Sequence, residues 1–135
     1  MTKDYEEERR EAIDAGNDAL SSLRQALSVL ENARNWGIFD VIGGGLISSL
    51  IKHDRMEKAQ RYIHDAQRSL RHFEKELQDL GNLENIHLET RDFVGFADVI
   101  FDDIFSDIAM QSRIHDARAK LTEAIQRVED ILRVL

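Results

Sequence analysis

The sequence predicts an all-α protein: an up-down helical bundle of three long helices plus one short, very apolar helix. Three observations carry this. Apolar residues recur at alternating spacings of three and four in three separate stretches, the mark of helices packed nearly parallel or antiparallel. The 135 residues include no proline, so long helices can run uninterrupted. Residues 36–52 depart most from regular amphipathic patterning, and they hold four of the seven glycines and the sole tryptophan. The length fits a single helical-bundle domain over residues 1–135.

The first helix is expected from about Asp4 to Asn35. Glu7 stands three residues after Asp4, as in a capping box, and Glu6, Glu7 and Glu8 suit the positive end of the helix dipole. Its seam reads Ile13, Leu20, Leu23, Leu27, Leu30, with Gly16 in the missing place. The second helix is expected from about Leu46 to Leu80 on the seam Met56, Ala59, Ile63, Ala66, Leu70, Phe73, Leu77, Leu80. Gly81-Asn82 then reads as its C-terminal cap. Residues 81–92 show no helical period and are expected to form a loop.

From Phe93 to Phe105, apolar residues cover about half a helical wheel and include four of the six phenylalanines. Extended as one straight helix, this stretch would place Asp107 inside its apolar arc, so a break or bend is expected around Asp103–Asp107. The last helix follows on Ile114, Ala117, Leu121, Ala124, Val128, Ile131 and Leu135.

Composition narrows the function. Without cysteine there are no disulfides, thiolate nucleophiles or cysteine-ligated metals, which suits the cytoplasm. No signal-peptide core is read near Met1, and no run of about 18 apolar residues is present, so a membrane-spanning helix is not expected. Peripheral membrane contact through Trp36–Ile51 is weakened by Asp40 and by the lack of basic residues on its N-terminal side. The net charge is −8 and unevenly spread. Residues 52–75 carry seven bases and four acids, and residues 76–107 carry nine acids and one base. An acidic chain repels nucleic acid, so no nucleic-acid partner is expected.

Several groups invite a chemical reading, and each has a plainer one. Gly43, Gly44 and Gly45 precede a helix start where bare amides could cradle an anion, with Lys52 and His53 nearby. No Lys-Ser/Thr follows the last glycine, so this is not a phosphate loop, and the favoured reading is a tight reversal or a close approach of a helix to the aromatic segment. Asp98 and Asp102 share one helix flank and could hold Mg²⁺ or Ca²⁺, or simply keep an apolar helix solvated. A ligand or metal site between the Gly43–Gly45 turn and the Asp98/Asp102 helix is the alternative to a purely non-enzymatic role. Glu7-Glu8-Arg9-Arg10-Glu11 matches the Glu-Glu-x-x-Glu half of the all-helical nucleotide pyrophosphohydrolases. The only following Glu-x-x-Asp in chain order is Glu76-Leu-Gln-Asp79, far beyond that family's spacing, so the match reads as coincidence. The five histidines do not converge, and no catalytic residue or cofactor is assigned. Arg61, Arg68 and Lys75 recur every seven residues as a basic ridge: a solvated face, or a docking strip for an acidic partner.

Trp36-Gly37, Asp40, Gly43-Gly44-Gly45 and Lys52-His53, followed by Phe96-Ala97-Asp98 and Phe101-Asp102, resemble a pattern found in uncharacterised bacterial all-helical proteins. The resemblance covers roughly residues 30–115 and implies a helical fold without bringing an activity. The leading expectation is therefore a non-enzymatic interaction or regulatory module that contacts a protein partner or itself. Trp36, Phe39, Phe96, Phe101 and Phe105 are its expected interaction surface. The surplus apolar arc of Phe93–Phe105 gives a reason for a homodimer. Trp36, Ile38, Phe39 and Ile42 are expected to pack on Leu46–Ile51 or on the phenylalanine-rich stretch.

Overall fold

The computed structural model describes the backbone of residues 5–43, 46–84, 93, 95–109 and 113–135. Side chains are described for residues 5–31, 57–81, 93, 95–109 and 113–135. Four helices make up these residues: α1 (Tyr5–Gly43), α2 (Leu46–Glu84), α3 (Phe96–Ala109) and α4 (Ile114–Val134). No strand occurs among the described residues.

Each helix packs on two others. α1 lies against α2 and α4, and α3 lies against α2 and α4. Ser22 Oγ and Ser69 Oγ stand 3.0 Å apart across α1 and α2. Arg24 pairs with Glu129 at 3.3 Å and Glu31 with Arg118 at 3.5 Å across α1 and α4. Arg9 Nε donates to the carbonyl of Leu135 at 2.5 Å. Arg71 meets Asp98 at 2.8 Å across α2 and α3, and the rings of His64 and Phe105 lie 4.4 Å apart. One continuous core results, in which Leu23, Leu30, Ile63, Leu70, Phe73, Phe93, Phe101 and Leu121 are fully buried. Each such side chain contributes about 1.5–3 kcal/mol by leaving water.

On α2 the expected seam from Ala59 to Leu80 is buried throughout. On α1 the seam is shifted. The buried stripe is Ala12, Ala15, Gly16, Ala19, Leu20, Leu23, Ala26 and Leu30, whereas Ile13 and Leu27 are half-buried. Small residues take the inward places because α1 and α2 approach closely. A Cβ on Gly16 would lie 2.9 Å from Phe73 Cε1 and 2.7 Å from Leu132 Cδ2.

Three expected boundaries move. α1 continues past Asn35 to Gly43. Gly37 costs about 1 kcal/mol relative to alanine but does not end a helix. α2 runs through Gly81-Asn82 to Glu84, so these residues are not its cap. Residues 85–92 lie outside the described set. No break occurs around Asp103–Asp107, where α3 runs as one helix to Ala109. Asp107 does fall inside the apolar arc, where it is 5% exposed. Its Oδ2 accepts a hydrogen bond from Lys120 Nζ of α4 at 2.5 Å. A buried carboxylate with a charged partner is tolerated where an unpaired one would not be. That contact, together with burial and the Asp103 and Asp116 charges, sets Lys120: the hydrogen bond pushes its ammonium pKa up, with partial burial opposing.

α3 begins at a left-handed turn. Gly95 has φ +82°, a conformation that favours glycine, and its carbonyl accepts Val99 N–H at 3.2 Å. Glu74 of α2 supplies the N-terminal acceptor, with its Oε1 2.9 Å from Ala97 N. Burial pushes the Glu74 carboxyl pKa up, against the pull of the Ala97 and Gly95 amides. Arg127 of α4 lies over the Phe96 ring at 4.5 Å and the Phe93 ring at 5.9 Å.

The first two helices also extend further than the others at one end. From the Glu31–Arg118 pair, α1 continues for 12 residues to Gly43, while α4 begins only four residues before Arg118. From the His64–Phe105 stack, α2 extends back 18 residues to Leu46, while α3 ends four residues after Phe105. At 1.5 Å per residue, the α1–α2 hairpin outruns α3 and α4 by about 12–21 Å.

Candidate acidic site between the first two helices

Glu8 lies on the inward stripe of α1, four residues before Ala12, and is only 7% exposed. Glu76 and Asp79 each precede a seam leucine of α2, Leu77 and Leu80, and so flank the core on the side facing α1. The two helices run in opposite chain directions, with Gly16 beside Phe73. Moving eight residues back from Gly16 to Glu8 therefore reaches the level of Gly81, at the end of the Glu76–Leu80 turn. Ligand oxygens of Glu8, Glu76 and Asp79 come within 4.8 Å of one another.

Burial is the main force on Glu76 and pushes its carboxyl pKa up. His72 opposes this, with Nε2 3.9 Å from Glu76 Oε1. The negative charges of Glu11, Asp79 and Glu8 push the Glu76 carboxyl further up. Glu76 Oε2 is buried and accepts no hydrogen bond among the described residues. Carboxylates held this close either retain a proton or gather a cation, and their oxygens suit a hard divalent ion.

These residues fall in the two acidic half-motifs, Glu7-Glu8-x-x-Glu11 and Glu76-x-x-Asp79. Sequence spacing set the halves apart, but the register of the hairpin joins them. The signal was present in the sequence, and what was missing was the level at which α2 returns past α1.

The residues singled out in the sequence are dispersed. Gly43 closes α1, and Gly44 and Gly45 lie outside the described residues. Lys52 and His53 belong to α2, and Trp36, Ile38, Phe39 and Ile42 to α1, but their side chains lie outside the described set. Asp98 is engaged by Arg71. Asp102 is exposed on α3. A site joining the glycine turn to Asp98 and Asp102 involves residues that lie outside the described set. Asp98 stands level with Arg71, 25 residues along α2 from Leu46, or about 38 Å at the helical rise.

The expected surface of Phe96, Phe101 and Phe105 also changes. Phe101 is fully buried, while Phe96 and Phe105 are half-buried against the core. Ile100, Phe101, Ile104 and Ile108 point into this chain's own core, so the apolar surplus that argued for a homodimer through α3 is already covered. No helix of the described residues is long and apolar enough to cross a membrane.

In comparisons with protein-family models, curated proteins and solved structures, nothing matches this chain.

Proposed function

We propose that the chain is a non-enzymatic helical interaction module, an up-down bundle working in the cytoplasm, that presents the end of its α1–α2 hairpin to a protein partner or to itself. One observation supports this reading most: the hairpin outruns α3 and α4 over the stretch whose composition is least suited to water. Residues 36–51 hold one charged residue, Asp40, and the bulky apolar Trp36 and Phe39. A contiguous apolar end on an acidic protein is the usual mark of a contact surface. The resemblance to the uncharacterised bacterial helical proteins rests largely on the same residues.

Trp36 is the only tryptophan, so iodide quenching of its fluorescence tests the reading directly. Where packing on Leu46–Ile51 or on the phenylalanine-rich stretch would bury Trp36 within the chain, this reading instead has it open to iodide in the dilute monomer and shielded when a partner binds or the concentration rises. A Trp36 already shielded in the dilute monomer would show that the chain covers this end itself, and would overturn the reading.

The acidic cluster favours a second reading, divalent-cation binding at Glu8, Glu76 and Asp79. Calcium, magnesium or manganese at millimolar concentration should then raise the melting temperature at pH 7.5, and Asp79→Asn should abolish the shift. An unchanged melting temperature with all three ions would remove this reading.

A further inference from the structure

We propose that a second copy of this chain docks on the outer face formed by α2 and α3, an interface separate from the hairpin end. α2 presents the exposed ridge Arg61, Arg68 and Lys75 along this face. Beside it, α3 presents exposed Asp98 and Asp102 on either side of Val99, which is 66% exposed. Among the described residues, only Val99 and Val134 are large apolar side chains left this open. The face therefore carries a basic strip, an acidic strip and a small apolar spot side by side.

The register of the two strips makes the face self-complementary. His64 stacks on Phe105 and Arg71 pairs with Asp98, so Arg68 stands level with Phe101 and Asp102 of its own chain. A two-fold axis lying along the groove between α2 and α3 places the second copy's α2 over this α3 at the same height. Arg68 of the second copy then reaches Asp102, and its Lys75 lies one turn beyond Asp98. The aliphatic stems of these two side chains cover Val99. Each contact is made twice, as an isologous interface requires. A partner of one charge sign would complement one strip and repel the other, whereas a second copy satisfies both.

The same geometry limits the affinity. α3 has 14 residues and is about 21 Å long, and neighbouring helix axes lie about 8–10 Å apart. The shared face is then on the order of 400 Å² per copy, in the class of weak, transient contacts. Asp65 also holds Arg68 within the chain and competes for it. Association is therefore expected only toward the top of the concentration range that sedimentation can reach.

Sedimentation equilibrium from 10 µM to 1 mM, at low ionic strength, tests the proposal. Arg68→Glu and Asp102→Arg should each weaken the dimer by about tenfold or more, because each places like charges opposite one another twice. The double variant R68E/D102R restores complementarity and should return to within about threefold of the parent. Both positions are exposed, and circular dichroism confirms that each variant is folded. A parent chain that remains at 15.6 kDa across the range overturns the proposal, as does a double variant no better than the singles. Trp36→Ser leaves this dimer intact, which separates the proposal from the hairpin-end reading.

Discussion

α2 meets α1 and α3 in two different ways. Against α1 it uses small residues: Ala12, Gly16, Ala19 and Ala26 face it, and the Phe73 ring lies almost on the α1 backbone at Gly16. Against α3 and the residues that lead into it α2 uses large rings, with His64 on Phe105 at 4.4 Å and Phe73 edge to face with Phe93, just before α3, at 5.7 Å. Charged contacts hold the ends of α3, Glu74 and Arg71 at the start and Lys120 of α4 near the finish. The first contact depends on volume and the second on charge. Around Gly16 the α1–α2 contact should therefore respond to added methyl groups and ignore pH, while the ends of α3, like the Glu8–Glu76–Asp79 end of the α1–α2 contact, should respond to charge.

The largest effect is expected at the end of α3. Lys120→Met leaves the Asp107 carboxylate buried without its partner and should cost about 2–3 kcal/mol in urea unfolding. Asp107→Leu should cost much less, because the freed Lys120 side chain is 30% exposed and can turn to water. Equal losses in the two variants would show that packing, not charge, holds this end.

Gly16→Ala comes next. Overpacking against Phe73 and Leu132 costs about 1–3 kcal/mol, and the better helix propensity of alanine returns about 1 kcal/mol. A net loss of about 1 kcal/mol is expected, with no dependence on pH between 5 and 8. A stabilised variant would mean that the two helices separate easily.

The pH effect is smaller. Glu74 and Glu76 both have folded-state pKa values above 4.5, so the folded chain holds protons more tightly than the unfolded chain does. Their contribution is complete below about pH 4.5 and is lost as pH rises through the raised values. The melting temperature should therefore be higher at pH 5 than at pH 7.5. Glu76→Gln should flatten that rise, and a parent chain that melts lower at pH 5 would contradict it. The smallest effect is expected at Arg71→Ala. Its pair with Asp98 is more than half exposed on both sides, and its loss should cost under about 1 kcal/mol.

The same contrast explains which parts of the structure could be read from sequence. α2 alternates large apolar residues with charged ones, and its seam was legible residue by residue. On α1, Leu20, Leu23 and Leu30 are buried as the pattern indicates, but the bulky Ile13 and Leu27 draw the eye one place away from the buried Ala12 and Ala26. Hydrophobic pattern weighs size, whereas a close helix contact selects smallness. The apolar pattern puts Asp107 inside the arc of α3, but nothing local shows what makes it tolerable there, because its partner Lys120 sits on the next helix, 13 residues away. The acidic cluster was visible as two half-motifs, but their meeting depends on hairpin register, which no local pattern encodes.

Gly16, Phe73 and Leu132 come from three different helices and compete for one small volume. Their sizes are therefore not free to drift separately. A lineage that gains a methyl group at position 16 must lose bulk at 73 or 132, and one that shortens residue 73 opens room for alanine at 16. Among relatives of this chain the three positions should covary, with their summed side-chain volume nearly constant. Phe73→Leu should correspondingly turn Gly16→Ala from a harmful change into a neutral or favourable one.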